Sequence, residues 1–384
     1  MRKILSALVS IFLILHSASS EILSQTVIPR TAVITGRVTD ASTGEPLPGA
    51  NVYIANTLMG AASGKDGVFT IRKVPFGDHQ IIASFISYKP VRKRLRIDRR
   101  GTFRLNIQLE PSALRLDEVL VHGSNKEWKR NLEIFKRQFL GTTKHANKCT
   151  ILNAEYLDFD HDRETGIFKA VALDLLKIEN RSLGYMLVIY LEYLDFRNDI
   201  TKMDYAVSFT ELSPENPKER ENREENREDA YYGSLRHLLN SMALSQGDDL
   251  HYLREGFLLS DFYFDKKYAR LKEDKVSNFN IYSFIYSSPE EFEKYITFEF
   301  YLKIRYARGI DWTEYDNMQS KAENIALQTS QIELMREKVL FNVNGTLSEP
   351  HLIMTYGYLS RKRVADLLPV EYLPPEKREQ KQCP

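Results

Sequence analysis

The chain has 384 residues, with 53 lysine and arginine residues against 52 aspartate and glutamate residues, and it contains two cysteines. Its net charge of +1 gives no global attraction to nucleic acid or anionic membranes, and its hydrophobic content of 43% excludes wholesale disorder. The length predicts two or three domains. The 21 tyrosines and 20 phenylalanines favour β-structure.

Residues 1–20 have the three-part pattern of a secretory signal peptide. A short basic start is followed by an apolar run over Ile4–Leu15 and by small residues at Ala18–Ser20. The run is shorter than the roughly 20 apolar residues that span a membrane, although an uncleaved anchor is the alternative. We expect an exported protein whose mature chain starts near Glu21.

The two cysteines are Cys149 and Cys383. Export permits a disulfide between them. Cys383, however, lies in the polar segment 373–384, which we expect to be a disordered tail, so we favour unbridged cysteines and keep the disulfide as the alternative. Two cysteines cannot form a zinc site by themselves.

Residues 32–110 alternate short apolar segments with turns. Val33–Val38 and Ala50–Ala55 have the pattern of strands, and Asp40–Gly49 between them carries the Gly, Pro, Asp and Ser residues of tight turns. About seven such strands predict an antiparallel β-sandwich. The other predicted strands are Val68–Arg72, His79–Lys89, Val91–Ile97 and Thr102–Leu109.

This segment resembles the carboxypeptidase regulatory-like domain of Bacteroidetes envelope proteins. The resemblance implies an immunoglobulin-like, transthyretin-like sandwich that is accessory to other domains and carries no catalytic zinc. The sequence departs from the family at Ser87, where glycine is usual, and at Ser63-Gly64, where Thr-Asp is common. The matching residues are Gly36, Asp40, Gly44, Pro46, Leu47, Gly49, Ala50, Val52, Asp66-Gly67, Phe69, Ser84, Tyr88 and Glu118-Val119.

A basic run covers Lys89–Arg104. Within it, Arg92, Arg94 and Arg96 alternate along a predicted strand and would share one face. The run is either a patch for lipopolysaccharide phosphates or an acidic partner, or a solvated face or charged edge strand. We favour the solvated face or charged edge strand over the patch. No aromatic residue is interleaved for stacking on bases, which argues against nucleic-acid binding.

Residues 111–124 are predicted as a linker and residues 125–372 as one α+β domain with a long antiparallel sheet. Asn125–Leu140 and Tyr231–Ser245 have the apolar spacing of helices. Glu215–Asp229 is a charged linker or the start of an exposed helix.

The strands of this domain are predicted from apolar runs and alternation. Leu183–Leu194 is nearly continuous in apolar residues and predicts a strand buried on both faces, whereas Ile296–Tyr306 alternates and predicts one half-buried strand. The other predicted strands are Ile151–Phe159, Gly166–Ile178, Met203–Leu212, Gly256–Phe264, Asn278–Ser287, Asn324–Leu334 and Leu352–Tyr358.

The same region is similar to the second half of Bacteroidetes proteins that carry the regulatory-like module. The similarity rests on the strings ILNAEYLDF, IENRSLGY, AYYGSLRHLL and GYLSRKRVADLLPVEY. That group has no established chemistry to transfer. Tyrosine-rich alternating strands also suit a small outer-membrane barrel, which stays open as an alternative.

One string has the spacing of metal ligands. His161 and Glu164 match the His-x-x-Glu ligands of metallocarboxypeptidases, but a working zinc site needs a third ligand and a general base. His237 and His251 are the downstream candidates. A polar hairpin loop over 158–166 is the favoured interpretation.

The same string also has a calcium-loop spacing. Asp158, Asp160 and Asp162 are placed as in such a loop, but its sixth and twelfth positions hold Arg163 and Lys169 instead of Gly and Glu. Cation binding is therefore not favoured.

Ser234 and His237 lie three residues apart on a predicted helix, where side chains are neighbours. A serine nucleophile also needs an orienting carboxylate and an oxyanion hole, and the G-x-S-x-G setting is missing. Packing of the helix on the sheet is the favoured interpretation.

The sequence thus predicts a mainly β protein, with an N-terminal immunoglobulin/transthyretin-like antiparallel sandwich followed by a larger α+β domain. We predict a non-catalytic exported envelope protein with no catalytic, cofactor-binding or metal residues and no cofactor. It would reside in the periplasm, at the outer membrane or on the cell surface. The partner would be an envelope protein or glycan and not nucleic acid. An envelope hydrolase with the sandwich as accessory is the alternative.

Overall fold

The computed structural model describes residues 30–112, 126–198, 200–244, 252–253, 256–265, 270–273, 280–309, 327–347 and 349–377. The predicted signal peptide, most of the predicted linker and the end of the predicted tail lie outside these residues. So do His251, Cys383 and Glu118-Val119.

Residues 30–112 form a sandwich of two four-stranded sheets. One sheet has the order β4-β1-β7 with β8 also bonded to β1, and the other has the order β3-β2-β5-β6. The strands are β1 (Thr31–Asp40), β2 (Asn51–Ile54), β3 (Gly60–Ala62), β4 (Val68–Pro75), β5 (Gly77–Ser84), β6 (Val91–Ile97), β7 (Thr102–Arg104) and β8 (Ile107–Leu109).

The sandwich is closed around alternating apolar side chains from both sheets. Ile34, Val38, Phe69, Ile81 and Ile97 are all within its core and nearly or fully buried. The predicted sandwich is confirmed, with one addition: β1 pairs antiparallel with β4 but parallel with β7 and β8.

Two glycines shared with the regulatory-like family are required by close backbone approach. A Cβ at Gly36 would lie 1.9 Å from the carbonyl oxygen of Leu105. A Cβ at Gly67, which has φ +75°, would lie 2.6 Å from the carbonyl oxygen of Val38. Only glycine fits at both positions.

A second pair of family residues bonds directly. The Tyr88 hydroxyl donates to Asp40 Oδ2 at 2.6 Å, while Asp40 Oδ1 accepts the N–H groups of Ser42 (2.6 Å) and Thr43 (3.0 Å). These bonds, that of Tyr88 first, hold the pKa of Asp40 below its ordinary value. They join the turn after β1 to the loop that contains Ser87, which has φ +64°.

The second part of the chain begins with helix α1 (Lys126–Leu140) and a six-stranded antiparallel sheet. The long strand β13 bonds to β14 on one side and to β11 and β12 on the other. Phe135 and Phe139 of α1 are fully buried against the sheet. The strands are β9 (Cys149–Ile151), β10 (Leu157–Asp162), β11 (Ile167–Ala172), β12 (Leu176–Asn180), β13 (Tyr185–Arg197) and β14 (Ile200–Glu211).

Helices α2 (Pro217–Tyr231) and α3 (Leu235–Leu244) lead to two further antiparallel sheets. One has the order β15-β16-β20-β21-β23 with β17 bonded to β16, and the other has the order β18-β19-β22. The strands are β15 (Tyr252–Leu253), β16 (Phe257–Asp265), β17 (Arg270–Glu273), β18 (Ile285–Ser287), β19 (Glu293–Ile296), β20 (Tyr301–Tyr306), β21 (Gln328–Leu334), β22 (Val339–Asn342) and β23 (Ile353–Gly357).

Three sequence expectations need correction. The expected single long sheet is three sheets. The expected strand Ile296–Tyr306 is divided, since β19 ends at Ile296 and β20 begins at Tyr301. Phe298 and Phe300 lie in the turn between the two strands, where their rings stack at 5.0 Å, so the apolar alternation of the sequence continues through the turn. The expected hairpin loop is only residues 163–166, since Asp158–Asp162 belongs to β10.

Two further expectations are confirmed. Of the two alternatives for Glu215–Asp229, the helix is present, and within it Arg223 donates to Glu219 Oε1 at 2.6 Å. β13 is covered on both faces: Leu187 and Ile189 are in the main core, while Val188 and Tyr190 pack towards the sandwich.

Candidate functional site

The sandwich joins the second part of the chain by extending the edge of β14. The Asn56 N–H donates to the carbonyl of Val207 at 2.6 Å, and the Phe209 N–H donates to the carbonyl of Thr57 at 3.1 Å. The Val370 N–H in turn donates to the carbonyl of Asn56 at 2.8 Å. A turn of the sandwich therefore lies between β14 and the C-terminal segment.

Apolar side chains fill the same junction. Tyr53, Ile82 and Ala206 form a buried cluster, with Val188 and Tyr190 packed against it. Ile82 is 0% exposed and Ala206 is 2% exposed. Burial to this extent between strands of the two parts favours one fixed arrangement.

Arginines of β6 provide the charged contacts of the junction. Arg92 binds both carboxylate oxygens of Asp204, each at 2.8 Å, and its guanidinium lies 5.2 Å from the ring centroid of Tyr190. Arg96 binds both oxygens of Glu293, at 2.7 and 2.8 Å. These bonds raise the pKa of both arginines. Arg94 pairs with Glu349 at 2.7 Å.

These contacts revise the interpretation of the basic run. The alternation does place Arg92, Arg94 and Arg96 on one face, and each of the three pairs with a carboxylate of the same chain. The favoured charged edge strand is present, because β6 is the last strand of its sheet. The favoured solvated face describes Arg94 and Arg99, whose side chains are 68% and 75% exposed, but not Arg92, whose side chain is 19% exposed.

A cavity of about 490 Å³ lies beside the junction. It is bounded by β14 and β23, by the start of α3, by Asn56 of the sandwich and by the segment 362–368. Its volume is within the range of ligand-binding clefts. We call this cavity the junction cleft.

The charged groups of the junction cleft are mostly basic. Lys202, Arg236, Lys362 and Arg363 line it, and Asp366 is the only carboxylate among the described residues that line it. Asp366 Oδ2 accepts from the Thr143 hydroxyl at 2.7 Å. Burial raises the pKa of Asp366.

Two of these cations, Lys362 and Arg236, donate hydrogen bonds to backbone carbonyls. Lys362 Nζ donates to the carbonyls of Asp229 (2.6 Å), Ala230 (3.2 Å) and Tyr232 (2.8 Å), where α2 ends. This is the favourable position for a cation relative to the helix dipole. Burial nevertheless lowers the pKa of Lys362.

Arg236 has a comparable role. Its guanidinium donates to the carbonyls of Pro369 (2.8 Å), Val370 (2.8 Å) and Tyr372 (2.9 Å). Burial lowers its pKa. Arg236 thereby anchors the C-terminal segment that bonds to Asn56.

The structure also brings together a Ser–His–Asp set that the sequence analysis missed. His145 Nδ1 lies 2.7 Å from the Ser182 hydroxyl, and its Nε2 lies 3.2 Å from Asp229 Oδ2. His145 is 1% exposed and Ser182 is 9% exposed, and neither lines the junction cleft. No motif could reveal the set, because its members are 37 and 84 residues apart.

The residues with the spacing of metal ligands bond to other groups or lie exposed. His161 Nδ1 lies 3.1 Å from Asn131 Oδ1, and Glu164 is exposed in the turn after β10. Asp158, Asp160 and Asp162 are on the exposed face of β10. In the part of the chain that the structure describes, no group of three or more His, Cys, Asp or Glu residues is placed to hold a metal ion.

Ser234 and His237 pack the helix as we favoured. The Ser234 hydroxyl accepts the His237 N–H at 3.1 Å, and His237 Nδ1 accepts the Gly233 N–H at 3.1 Å. The imidazole is fully buried, with Phe257 at 4.8 Å between ring centroids.

Two further observations concern cysteine and the membrane. Cys149 is half-buried, 3.5 Å from the carbonyl of His145. The expectation that it is not bridged to Cys383 stays a prediction, because Cys383 lies outside the described residues. None of the helices among the described residues has the length and apolarity that a membrane span requires.

Comparison with known proteins decides the nature of the sandwich. Residues 34–121 match the family model described as the CarboxypepD_reg-like domain. The N-terminal sandwich is a CarboxypepD_reg-like domain. The predicted resemblance is thus confirmed for this part of the chain. No curated protein matches the chain.

Several solved structures are similar to part of the chain. The pilus 2b backbone protein of group B streptococcus is 14% identical over 22% of this chain and 42% of that chain, with a TM-score of 0.19. The major pilin subunit of Bacillus cereus is 17% identical over 21% of this chain and 30% of that chain, with a TM-score of 0.18. This chain spans less than half the length of either pilin.

A third similar solved structure is a complex of two proteins. A chain of a type II cohesin–X-dockerin complex from Acetivibrio cellulolyticus is 17% identical over 29% of this chain and 78% of that chain, with a TM-score of 0.20.

Proposed function

We propose that the protein is a non-catalytic, exported binding protein of the cell envelope. In this proposal the CarboxypepD_reg-like domain is locked onto a larger binding domain, and the two together bound the junction cleft. The observation that carries the proposal is the contact of Asn56 and Thr57 with the edge of β14, directly beside the cleft.

The proposed organisation keeps the boundaries expected from the sequence. Residues 1–20 are the signal peptide, 32–110 the CarboxypepD_reg-like domain, 111–124 a linker, 125–372 the binding domain and 373–384 a tail. Export rests on the pattern of residues 1–20, and location in the periplasm, at the outer membrane or at the cell surface follows from export.

The chemistry of the cleft supports binding over catalysis. Arg236 and Lys362 are bonded to backbone carbonyls, which leaves them as fixed positive charges and not as proton carriers. Within the described part of the chain, Asp366 is the one carboxylate that lines the cleft, whereas acid–base catalysis usually pairs two titratable groups with opposed pKa shifts.

An envelope hydrolase is the second candidate, because Ser182, His145 and Asp229 have the residue types of a nucleophilic triad. The burial of Ser182 and its absence from the cleft lining argue against it. We interpret the set as structural: its hydrogen bonds connect Ser182 in the turn after β12, His145 in the loop after α1 and Asp229 near the end of α2.

The two candidates are separated by assaying the purified full chain against a panel of peptides and esters, with metal analysis of the same sample. The binding proposal predicts no turnover and no stoichiometric zinc. Hydrolysis that Ser182→Ala abolishes would establish the second candidate, and zinc that is lost in His161→Ala would establish a metal site.

A further inference from the structure

Among the described residues, backbone partners occupy only half of the outer edge of β14. Along a strand, the N–H and C=O groups of alternate residues point to the same edge. Val207 and Phe209 bond outwards to Asn56 and Thr57. Thr201, Met203 and Tyr205 therefore direct their backbone groups to that same outer edge.

The unoccupied half of this edge opens into the junction cleft. Thr201, Met203 and Tyr205 all line the cleft. Among the described residues, none forms a backbone–backbone hydrogen bond with their outward groups. Asp204, between them, instead directs its backbone groups to β13.

A second strand edge, that of β23, also lines the cleft. β23 is the last strand in its sheet. Its register with β21 is set by two hydrogen bonds: the Met335 N–H donates to the carbonyl of Leu352 at 2.9 Å, and the Tyr358 N–H donates to the carbonyl of Thr329 at 3.0 Å. With this register, the backbone groups of Ile353 and Thr355 point away from β21. Both residues line the cleft.

Unpaired strand edges recognise extended backbone, and the charges beside them select side chains. Lys202, Lys362 and Arg363 line the cleft, and its described lining contains a single carboxylate. This excess of positive charge favours acidic segments. Ile200 is 41% exposed at its rim and offers an apolar contact.

We propose that the junction cleft binds an extended acidic segment of a partner protein, which pairs as an added strand with Thr201–Tyr205 of β14. The proposal rests on the proposed binding function and names its partner class. The added strand would continue the line of Asn56 and Thr57, so the CarboxypepD_reg-like domain marks one end of the site.

Amide exchange measured by NMR on the free protein is the first test. The N–H groups of Met203 and Tyr205 are expected to exchange at least ten-fold faster than that of Asp204, which bonds to β13. If all three amides are protected in the free protein, another segment of the same chain already pairs with the outer edge of β14, and the proposal would be wrong.

The second test selects binders from a library of twelve-residue peptides that alternate glutamate with Val, Ile, Thr or Leu. Selected peptides are expected to protect the amides of Met203 and Tyr205. Their affinity should fall at least ten-fold when alternate backbone nitrogens are methylated, and also when alternate glutamates become lysines.

The third test compares two substitutions at Met203 that differ in whether the backbone N–H is kept. Met203→Pro removes the outward N–H without removing a bond to β13, whereas Met203→Leu keeps it. Binding should fall at least ten-fold in the proline variant only. If that variant does not fold, the methylated peptides decide the question on the unmodified protein.

Failure to select any peptide, or selected peptides that tolerate backbone methylation, would overturn strand addition. Such a failure leaves the binding function standing, because the hydrolysis and metal assays test that function separately.

Discussion

Arg92 and Asp204 face each other across the junction, with each Nη atom 2.8 Å from one carboxylate oxygen. The side chains are 19% and 14% exposed, so most of the pair is removed from water. A pair of this kind contributes more to a unique arrangement than to net stability, but losing one partner leaves a poorly solvated charge.

Arg92→Ala is expected to lower the free energy of unfolding by about 2–3 kcal/mol, because Asp204 then loses its partner. Asp204→Ala should have a similar effect, and the double variant should lose less than the sum. Urea denaturation of the four proteins measures this coupling. Arg99→Ala is the control, with an expected loss below about 0.5 kcal/mol for an exposed pair. Additive losses in the double variant would show that the two side chains are not coupled.

Arg236 is expected to hold the C-terminal segment in place. In Arg236→Met the carbonyls of Pro369, Val370 and Tyr372 lose their donor, and we expect about 2–4 kcal/mol lower stability because several buried acceptors become unsatisfied. Limited chymotrypsin digestion should cut at Tyr372 at least ten-fold faster. Arg361→Met, at an exposed position, should digest like the unmodified protein. Equal digestion of the two variants would refute the anchoring role.

The bond between Tyr88 and Asp40 predicts a pH dependence. The pKa of Asp40 is lower in the folded chain than in the unfolded chain, so its stabilising contribution is complete above the unfolded pKa and is lost as the pH falls through the folded pKa. In Tyr88→Phe the Asp40 pKa should rise towards its ordinary value. The stability difference between the two proteins should therefore be larger at pH 7 than at pH 3.

NMR titration of the Asp40 carboxyl and urea denaturation at the two pH values measure this effect. A difference in stability that is the same at pH 3 and pH 7 would rule out the hydrogen bond as its cause.

Ser87 has φ +64° and an exposed side chain, so substitutions there act through the backbone. Ser87→Gly should raise the free energy of unfolding by about 0.5–1 kcal/mol, since the left-handed penalty exceeds the extra entropy of glycine. Ser87→Val should lower it by about 1–2 kcal/mol, because β-branched residues avoid this region. Thermal unfolding of both variants checks the prediction, and equal melting temperatures would contradict it.

The sequence predicted the features that depend on neighbours along the chain. The turn after Asp40 and the alternation of Arg92, Arg94 and Arg96 are local patterns, and both are present in the structure. The partners of these arginines were not predictable, because Asp204 and Glu293 are 112 and 197 residues away. No spacing rule links such distant residues.

The junction cleft escaped prediction for the same reason. Its two strand edges, β14 and β23, are each ordinary in sequence, and only the packing of two sheets places them on one cavity. The division of Ile296–Tyr306 between two sheets was hidden because stacked rings at Phe298 and Phe300 preserve the apolar alternation through the turn.

Site-specific photo-crosslinking in living cells tests most directly whether the protein acts by binding at the junction cleft. A photoreactive phenylalanine analogue would replace Ile200 at the cleft rim, and Leu152, which is 50% exposed and does not line the cleft, would be the control position. We expect a discrete protein adduct from position 200 that is absent from position 152 and is lost when Met203→Pro is added. No adduct from position 200, or the same adducts from both positions, would contradict the proposed role of the cleft.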